Sequence, residues 1–302
     1  SWMEVLKYTA KSELAFNEIG KAYYRQEEYT AAMKYFKLSG DRTQYSKAYK
    51  EYRRQVLNDS FSTVMTCLSV LAAGRSCVRA PPQRTESRTR RGGQMKAIKD
   101  SLLYAFHVIT HPFDGFWCAQ RERRGDVRAA TILIALVTLV SVLSNHLTGF
   151  IFNENSGKSS NLLAEILGIV VPVVLWCVAN WSITTLLDGE GSFRDIYIAT
   201  AYALTPIILV QIPMILLSQV IVLEEARIYQ ALGLLMLAWV AFLLFSGLMT
   251  IHQYTVGKTL LTVLIAIVGM AAILFLFLLF FALIQQLMNF LYIFYKEMTL
   301  RV

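Results

Sequence analysis

Five long apolar blocks occupy the C-terminal part of the chain. Each contains about 20 or more residues, and an α-helix of about 20 residues crosses the roughly 30 Å hydrocarbon core of a bilayer. A helix of a soluble protein would carry a polar face, whereas stretches such as ILIALVTLVSVL and ILFLFLLFFALI are apolar on every side. The pattern predicts an all-α, polytopic membrane helix bundle with spans at Ala129 to Phe152, Leu162 to Leu187, Ile196 to Leu223, Ile228 to Ile251 and Thr259 to Ile284.

A shorter apolar run precedes these blocks. Phe61 to Gly74, FSTVMTCLSVLAAG, consists of apolar or small residues, and Arg75 follows at once. A run of this length is compatible with a buried helix, an interfacial segment or a membrane span. The abrupt basic stop favours a sixth, short transmembrane helix within residues 58–78, which would put the chain before it and the chain after it on opposite sides of the membrane.

Residues 79–128 connect this run to the first long span. Prolines, glycines, serines and threonines among the arginines predict a disordered linker over residues 79–94. Residues 95–128 are amphipathic and predict an interfacial segment, whose helix rests on the membrane surface. The break in that helix is expected at His111-Pro112, because proline disfavours helix in the residue before it.

Composition and charge support a membrane protein and predict its orientation. The 302 residues are 55% hydrophobic, their mean hydropathy is +0.46, and the net charge is +8. Residues 75–128 hold twelve Lys or Arg against five acidic residues, and such a block beside membrane spans typically faces anionic cytoplasmic lipid rather than nucleic acid. The predicted loops then alternate: 153–161 outside, 188–195 inside, 224–227 outside, 252–258 inside and the C-terminus outside.

Residues 1–57 form a separate module of amphipathic helices. The module consists of three helices, and the last of them carries Tyr45, Tyr49 and Tyr52 on one face. Over residues 13–46 the pattern is that of two antiparallel helices that pack small residues where they cross. It resembles one tetratricopeptide unit, although Glu27 and Ser39 replace small residues and the terminal proline is absent. The matching positions are Ala15, Phe16, Ile19, Gly20, Tyr23, Tyr29, Ala32 and Phe36.

The resemblance implies a protein-binding module. Such repeats hold a peptide or helix of a partner, and we expect Tyr23, Tyr29, Tyr45 and Tyr49 to contact it. A plain helical hairpin that acts as a spacer is the alternative. One repeat with a capping helix falls short of the usual three, so we expect the module to continue upstream or to pack on another surface. A chain that starts at Ser1 without a cleavable signal pattern is then a fragment of a longer protein.

The sequence offers little that could carry catalysis. It contains no Walker, HExxH or GxSxG motif, and no charged residue lies in the middle of a predicted span. The four cysteines form no CxxC pair, so neither a disulfide framework nor a zinc site is indicated. His107 and His111 have the spacing of a metal clamp but lack further ligands. We predict a protein that is not an enzyme and has no cofactor or metal.

The third predicted span is the most polar of the five. Pro206 and Pro213 each remove a backbone hydrogen bond, and their bends are expected on nearly the same face because they stand about two helical turns apart. Gln211 lies between them. The helix lines a pathway or interlocks with its neighbours, and we favour interlocking. The turn before it, from Asp188 to Asp195 and including Arg194, is expected to be flexible and cytoplasmic.

Two segments resemble the bacterial branch of the Yip (Ypt-interacting protein) domain family. HPFDGFW precedes the first span, GSFRDIYIATAYALTP opens the third, and the resemblance covers about Ser101 to Tyr295. It implies a multi-pass protein of the bacterial cytoplasmic membrane that organises lipid. The eukaryotic relatives engage small trafficking GTPases, but their DLYGP-like signature is absent here. The matched positions are His111, Pro112, Gly191, Tyr202, Pro206 and Pro213, which are hallmarks of the fold.

Two classes of function fit these patterns. The first is a non-enzymatic membrane scaffold or adaptor that recruits a protein partner through its helical module, joins a membrane transporter complex or self-associates, and organises the bilayer around it. The second is a component of a transport system that moves a small neutral solute along the third span. A scaffold should co-purify with a defined complex, whereas a solo carrier should bind or move its substrate when reconstituted alone.

Overall fold

The computed structural model describes residues 13–56, 101–121, 125–153, 161–187 and 189–300. The predicted short span Phe61 to Gly74, the Arg-rich linker and most of the loop 153–161 lie outside these residues. Within them the chain forms helices and no strand. The α-helices are α1 Glu13–Arg25, α2 Tyr29–Leu38, α3 at 42–56, α4 Ser101–Thr110, α5 Pro112–Arg121, α6 Val127–Leu147, α7 Leu162–Leu186, α8 Phe193–Ala203, α9 Thr205–Ser218, α10 Ala226–His252 and α11 Val256–Leu300.

Five helical segments of the described chain are long and apolar enough to cross a membrane. They confirm the predicted all-α bundle of five spans. Their bounds are Val127–Leu147, Leu162–Leu186, Phe193–Ser218, Leu223–His252 and Val256–Glu297.

The chain divides into two compact units that are described separately. The first comprises Ser1–Arg90, Leu143–Ser159 and Val210–Leu234. The second comprises Arg91–Val142, Ser160–Leu209 and Leu235–Val302.

In the first unit, α1 and α2 form an antiparallel hairpin on which α3 packs. The core of this module contains Ala32, Phe36 and Ala48. Gly20 lies flat against the Phe36 ring, since a Cβ atom at this position would stand 2.7 Å from the ring carbons. The tight connection after α2 needs the left-handed conformation of Gly40, whose φ is 73°.

In the second unit, α4 and α5 form a helical hairpin. The interfacial position predicted for this segment stays a prediction. The structure shows in addition that Ala105 and Val108 of α4 and Phe116 of α5 belong to a buried cluster with residues of α6, α8 and α10. This packing is possible because the break at His111 turns the chain back on itself, so one face of each arm meets the bundle. Pro112 is the first residue of α5, where its missing N–H costs nothing.

At one point the backbones of α4 and α5 are in direct contact, with no side chain between them. A Cβ atom on Gly115 would lie 2.8 Å from the Val108 Cα atom. The Tyr104 hydroxyl donates a hydrogen bond to the Gly115 carbonyl at 2.8 Å. Close backbone approach and this hydrogen bond therefore fix the angle between α4 and α5.

The third span consists of two helices. α8 ends at Ala203 and α9 begins at Thr205, so the break lies at Leu204, just before Pro206. Both prolines lie in α9, where Pro206 is buried and Pro213 is exposed. The break precedes Pro206 because proline disfavours helical geometry upstream of itself.

The start of α8 also differs from the predicted flexible turn. Ser192 caps the helix, its hydroxyl and backbone N–H both bond Asp195, and Arg194 lies in the first turn. This capping box extends the helix into the charged segment, since it satisfies N–H groups that a helix start leaves unpaired.

The last span is part of a helix of 45 residues, which is about 68 Å long. We predicted from the sequence that this span ends at Ile284, because Gln285 and Gln286 follow it. Glutamine interrupts an apolar run but is a good helix former, so α11 continues through the aromatic residues to Leu300.

We predict that Gly115→Ala destabilises the protein by about 1–3 kcal/mol, because the added methyl must push α4 away from α5. Gly168→Ala is the matched control: this helical glycine has open space around it, so alanine should be neutral or slightly stabilising. Thermal unfolding of the purified variants in detergent would measure both. Equal midpoints for the two variants would contradict the close contact.

Candidate functional site

The clearest built surface in the first unit is the contact between α3 and two loops of the membrane domain. One loop follows α6, and the other joins α9 to α10. The Ser46 hydroxyl accepts a hydrogen bond from the Leu223 N–H at 2.8 Å, and Arg42 donates to the Asn153 carbonyl at 2.8 Å. We call this contact the α3 clasp, and its members are Arg42, Tyr45, Ser46, Tyr49, Lys50 and Arg53 of α3.

Two ion pairs lie at one end of the α3 clasp. Arg53 presents both terminal nitrogens to the Glu225 carboxylate, at 3.1 and 3.2 Å, and also donates to the Val220 carbonyl at 3.0 Å. Lys50 donates to Glu224 at 2.7 Å. The hydrogen bond to Glu225 raises the pKa of Arg53, and the hydrogen bond to Glu224 raises the pKa of Lys50. Both cations therefore stay charged at neutral pH.

Two of the four tyrosines predicted to bind a partner belong to this clasp. Tyr45 packs edge-on against Phe150, with ring centroids 5.0 Å apart, and burial raises the pKa of its hydroxyl. The Tyr49 hydroxyl donates to the Gln219 carbonyl at 2.9 Å. These side chains thus hold the chain's own loops.

The other two predicted tyrosines lie on the α1–α2 hairpin. Tyr23 stacks on Tyr35 with ring planes only 5° apart, and Tyr29 meets the edge of Tyr24. Tyr35 also stacks on Phe16. Phe16, Tyr35 and Tyr23 therefore form one row of stacked rings, Tyr24 and Tyr29 form a separate pair, and none of them belongs to the clasp.

The loops that receive α3 are bound to each other. The Gly149 N–H donates to the Ser218 hydroxyl at 2.9 Å, and no side chain could replace hydrogen at Gly149 because the Ser218 carbonyl occupies that space. Phe152 stacks on Tyr229 with centroids 4.6 Å apart. These contacts join the two loops into one docking surface.

This contact was not predicted, although the sequence shows the charged residues that form it. Lys50 and Arg53 lie one turn apart on the third amphipathic helix, and Glu224 and Glu225 form a short acidic loop between two spans. Charge complementarity was a signal for pairing them. The hydrogen bonds to backbone carbonyls had no signal, because every residue has a carbonyl.

In the second unit, the residues before α8 wrap around the end of α10. The Gly191 N–H donates to His252 Nδ1 at 3.2 Å, and the Tyr254 hydroxyl donates to the Leu187 carbonyl at 3.1 Å. Gly189 stands so close to His252 and Tyr254 that a Cβ atom would lie 2.6 and 2.7 Å from them. Gly191, matched from sequence as a hallmark of fold, therefore has a packing role here.

The remaining predicted positions are dispersed. The Tyr202 ring is buried and its hydroxyl donates to the Ser101 carbonyl at 3.0 Å, which ties α8 to the start of α4. His111 and Pro112 form the turn of the α4–α5 hairpin, whereas Gln211 is half-buried on α9. They share no common site with Arg194, which is exposed at the start of α8.

The described residues contain no group of three His, Cys, Asp or Glu side chains that could hold a metal ion. His107 and His111 stack with ring centroids 5.1 Å apart. A cavity of the second unit, lined by Thr200 and apolar side chains of α7, α8 and α10, has room for about one water molecule.

Comparison with known proteins gives a family match over most of the membrane domain. The model of the Yip1 domain matches residues 106–292, which include the α4–α5 hairpin after its first residues and all five spans. No curated protein and no solved structure matches the chain. Because the match covers more than half of the sequence, this multi-pass membrane protein belongs to the Yip1 domain family.

Proposed function

We propose that this protein is a non-enzymatic scaffold or adaptor of the bacterial cytoplasmic membrane, in which the Yip1 domain holds the N-terminal helical module at the bilayer for a protein partner. The observation that carries this proposal is the α3 clasp. In this contact the third helix of the module, α3, binds loops of the membrane domain. The helices α1 and α2 take no part in it and are available to a partner.

The free side of the module suits a protein partner. Leu14 and Leu38 are 64% and 54% exposed, and the same two helices carry the aromatic row of Phe16, Tyr23 and Tyr35. Exposed apolar side chains next to aromatic rings are typical of protein-binding surfaces. A tetratricopeptide-like role for this hairpin is part of the proposal.

The position of the clasp also supports the proposed sixth span. α6 has 21 residues and is about 32 Å long, so its two ends lie on opposite faces of a bilayer. α3 binds the loop at the end of α6, whereas the basic segment precedes its start. We therefore propose that the chain crosses the membrane between residues 57 and 100, and Phe61 to Gly74 is the apolar run available in the sequence.

The adaptor role is tested with photo-crosslinking residues in the full chain. A crosslinker at Leu14 or Tyr23 should yield a reproducible protein adduct in native membranes, while one at Arg54, exposed on α3, serves as the comparison. Purification of the adduct would identify the partner. The proposal is wrong if the α1 positions give no adduct and the chain alone moves a small solute in vesicles.

We predict opposite accessibility for Lys37→Cys in the module and Arg121→Cys at the end of α5, each in a chain whose four native cysteines are replaced. An impermeant maleimide added to intact spheroplasts should label the Lys37→Cys variant. The Arg121→Cys variant should react only after lysis, since the basic block is expected in the cytoplasm.

Equal labelling of both variants in intact spheroplasts would show that the chain does not cross between the two positions. The reverse pattern would preserve the crossing but contradict the orientation. Asn153→Cys, in the loop that α3 contacts, is the control and should behave like Lys37→Cys.

We predict that Arg53→Glu loosens the module and that adding Glu225→Arg restores the contact, with a coupling energy of about 0.5–1 kcal/mol for this surface pair. Hydrogen exchange of the α3 amides would measure the loosening. Arg54→Glu is the matched control, because Arg54 pairs only with Glu51 of its own helix among the ion pairs of the described residues. Equal exchange in both single variants would contradict the clasp.

A further inference from the structure

We propose that the α4–α5 hairpin enters the bilayer from one side and that its turn reaches about the middle of the bilayer. The exposed face of the hairpin then binds phospholipid of the leaflet that it enters. The apolar part of this face takes the acyl chains, and its polar part draws headgroups and water below their normal level. This inference does not depend on the adaptor role of the N-terminal module.

The contacts of α5 with α10 set the depth of the hairpin. Gln120, near the end of α5, donates to the Ile251 carbonyl at the end of α10. One α5 turn earlier, the Phe116 ring lies against Gly247. Near the start of α5, Phe113 packs edge-on against Phe242, with ring centroids 6.4 Å apart.

These three contacts show that α5 runs alongside α10. Phe242 lies ten residues before His252, the last residue of the span, which corresponds to about 15 Å along the helix. The hydrocarbon core is about 30 Å thick, so the turn of the hairpin reaches about its middle. Backbone groups at that depth need internal partners, and two helical arms with a short turn meet this requirement.

The other arm of the hairpin, α4, is held beside α5 at the same depth in the bundle. Tyr104 of α4 bonds the Gly115 carbonyl and meets the Tyr202 ring edge-on. Val108 is fully buried against Gly115. The hairpin is therefore an integral part of the second unit and carries a defined outer face.

One stripe of that outer face is apolar. It consists of four large side chains that are each about half exposed: Leu103, Phe106, Phe113 and Trp117, at 56%, 51%, 45% and 50%. The stripe continues onto α10, where Trp239 and Phe242 are 40% and 41% exposed. Because α10 is a membrane span, this continuity identifies acyl chains as the occupant of the stripe.

The second stripe is polar. His107, His111, Asp114 and Arg121 are exposed and recur every three to seven residues along the two arms. His107 and His111 stack on each other, and the Thr110 hydroxyl lies 3.0 Å from His111 Nδ1. Arg121 lies at the mouth of the hairpin, whereas His107, His111 and Asp114 lie nearer its turn. Ionisable groups at the depth of the turn are costly beside acyl chains, and local thinning with entry of headgroups and water lowers that cost.

The test uses the full chain in unilamellar phosphatidylcholine vesicles, with the four native cysteines replaced and one fluorescent label attached per variant. The labelled positions are Thr110→Cys near the turn, Arg121→Cys at the mouth, and the neighbours Phe106→Cys and His107→Cys on the two stripes. Gly168→Cys on span α7 calibrates lipid exposure, because the space around this glycine is open.

We expect lipids with a quencher deep in the acyl chain to reduce the fluorescence more at Thr110 and Phe106 than at Arg121. An aqueous iodide quencher should reach His107 more than its neighbour Phe106. Replacing His111 and Asp114 by leucine should lower the iodide quenching at His107, since fewer polar groups then draw in water.

Stronger iodide than deep-lipid quenching at Thr110 and Phe106 would place the hairpin on the surface and overturn the proposal. Quenching by neither reagent would show that protein, including a second copy, covers the face, which also overturns it. Equal iodide quenching at Phe106 and His107 would refute the polar stripe. Each variant must keep the thermal midpoint of the unlabelled chain for its reading to count.

Discussion

Close approach of helix backbones at glycine is the interaction on which the membrane unit depends. At Gly115 the two arms of the α4–α5 hairpin meet without an intervening side chain, and at Gly247 the Phe116 ring lies directly on α10. Apolar burial cannot distinguish a helix neighbour from a lipid tail, so association within the bilayer relies on such packing and on hydrogen bonds between helices. The hydroxyls of Tyr104 and Tyr202 supply those bonds, each to a backbone carbonyl.

The first unit is held together by a different kind of contact, in which polar and charged side chains predominate. The α3 clasp combines ion pairs, bonds to backbone carbonyls and one aromatic pair across two loops that are themselves bound together. A single surface ion pair contributes little to stability, so the docking of α3 depends on many contacts that form together. Membership of the Yip1 domain family accounts for the membrane domain, and the clasp gives the short helical module another surface of the chain on which to pack.

The spans and the family were predictable from sequence because a long apolar run has few alternatives in a bilayer. Prediction failed where a few residues decide between local geometries. The capping box of Ser192 and Asp195 turned an expected flexible turn into the start of α8, and the chain breaks at Leu204, before both Pro206 and Pro213, which lie together in α9. The packing of the hairpin on the bundle was not predicted, because the periodicity of the sequence does not show that Phe113 lies against Phe242 of α10. Tyr45 and Tyr49 were recognised as contact residues, but periodicity cannot tell whether the contact is with a partner or with the same chain.

The docking of α3 on the loops of the membrane domain is tested most directly by a disulfide between Ser46→Cys and Leu223→Cys. The Ser46 hydroxyl and the Leu223 N–H are in hydrogen-bond contact, so the two residues lie side by side, as a disulfide requires. In membranes of a chain without native cysteines, mild oxidation should link these two residues and leave the pair Lys37→Cys with Leu223→Cys unlinked. Absence of the first crosslink, or equal formation of both, would contradict the docked module.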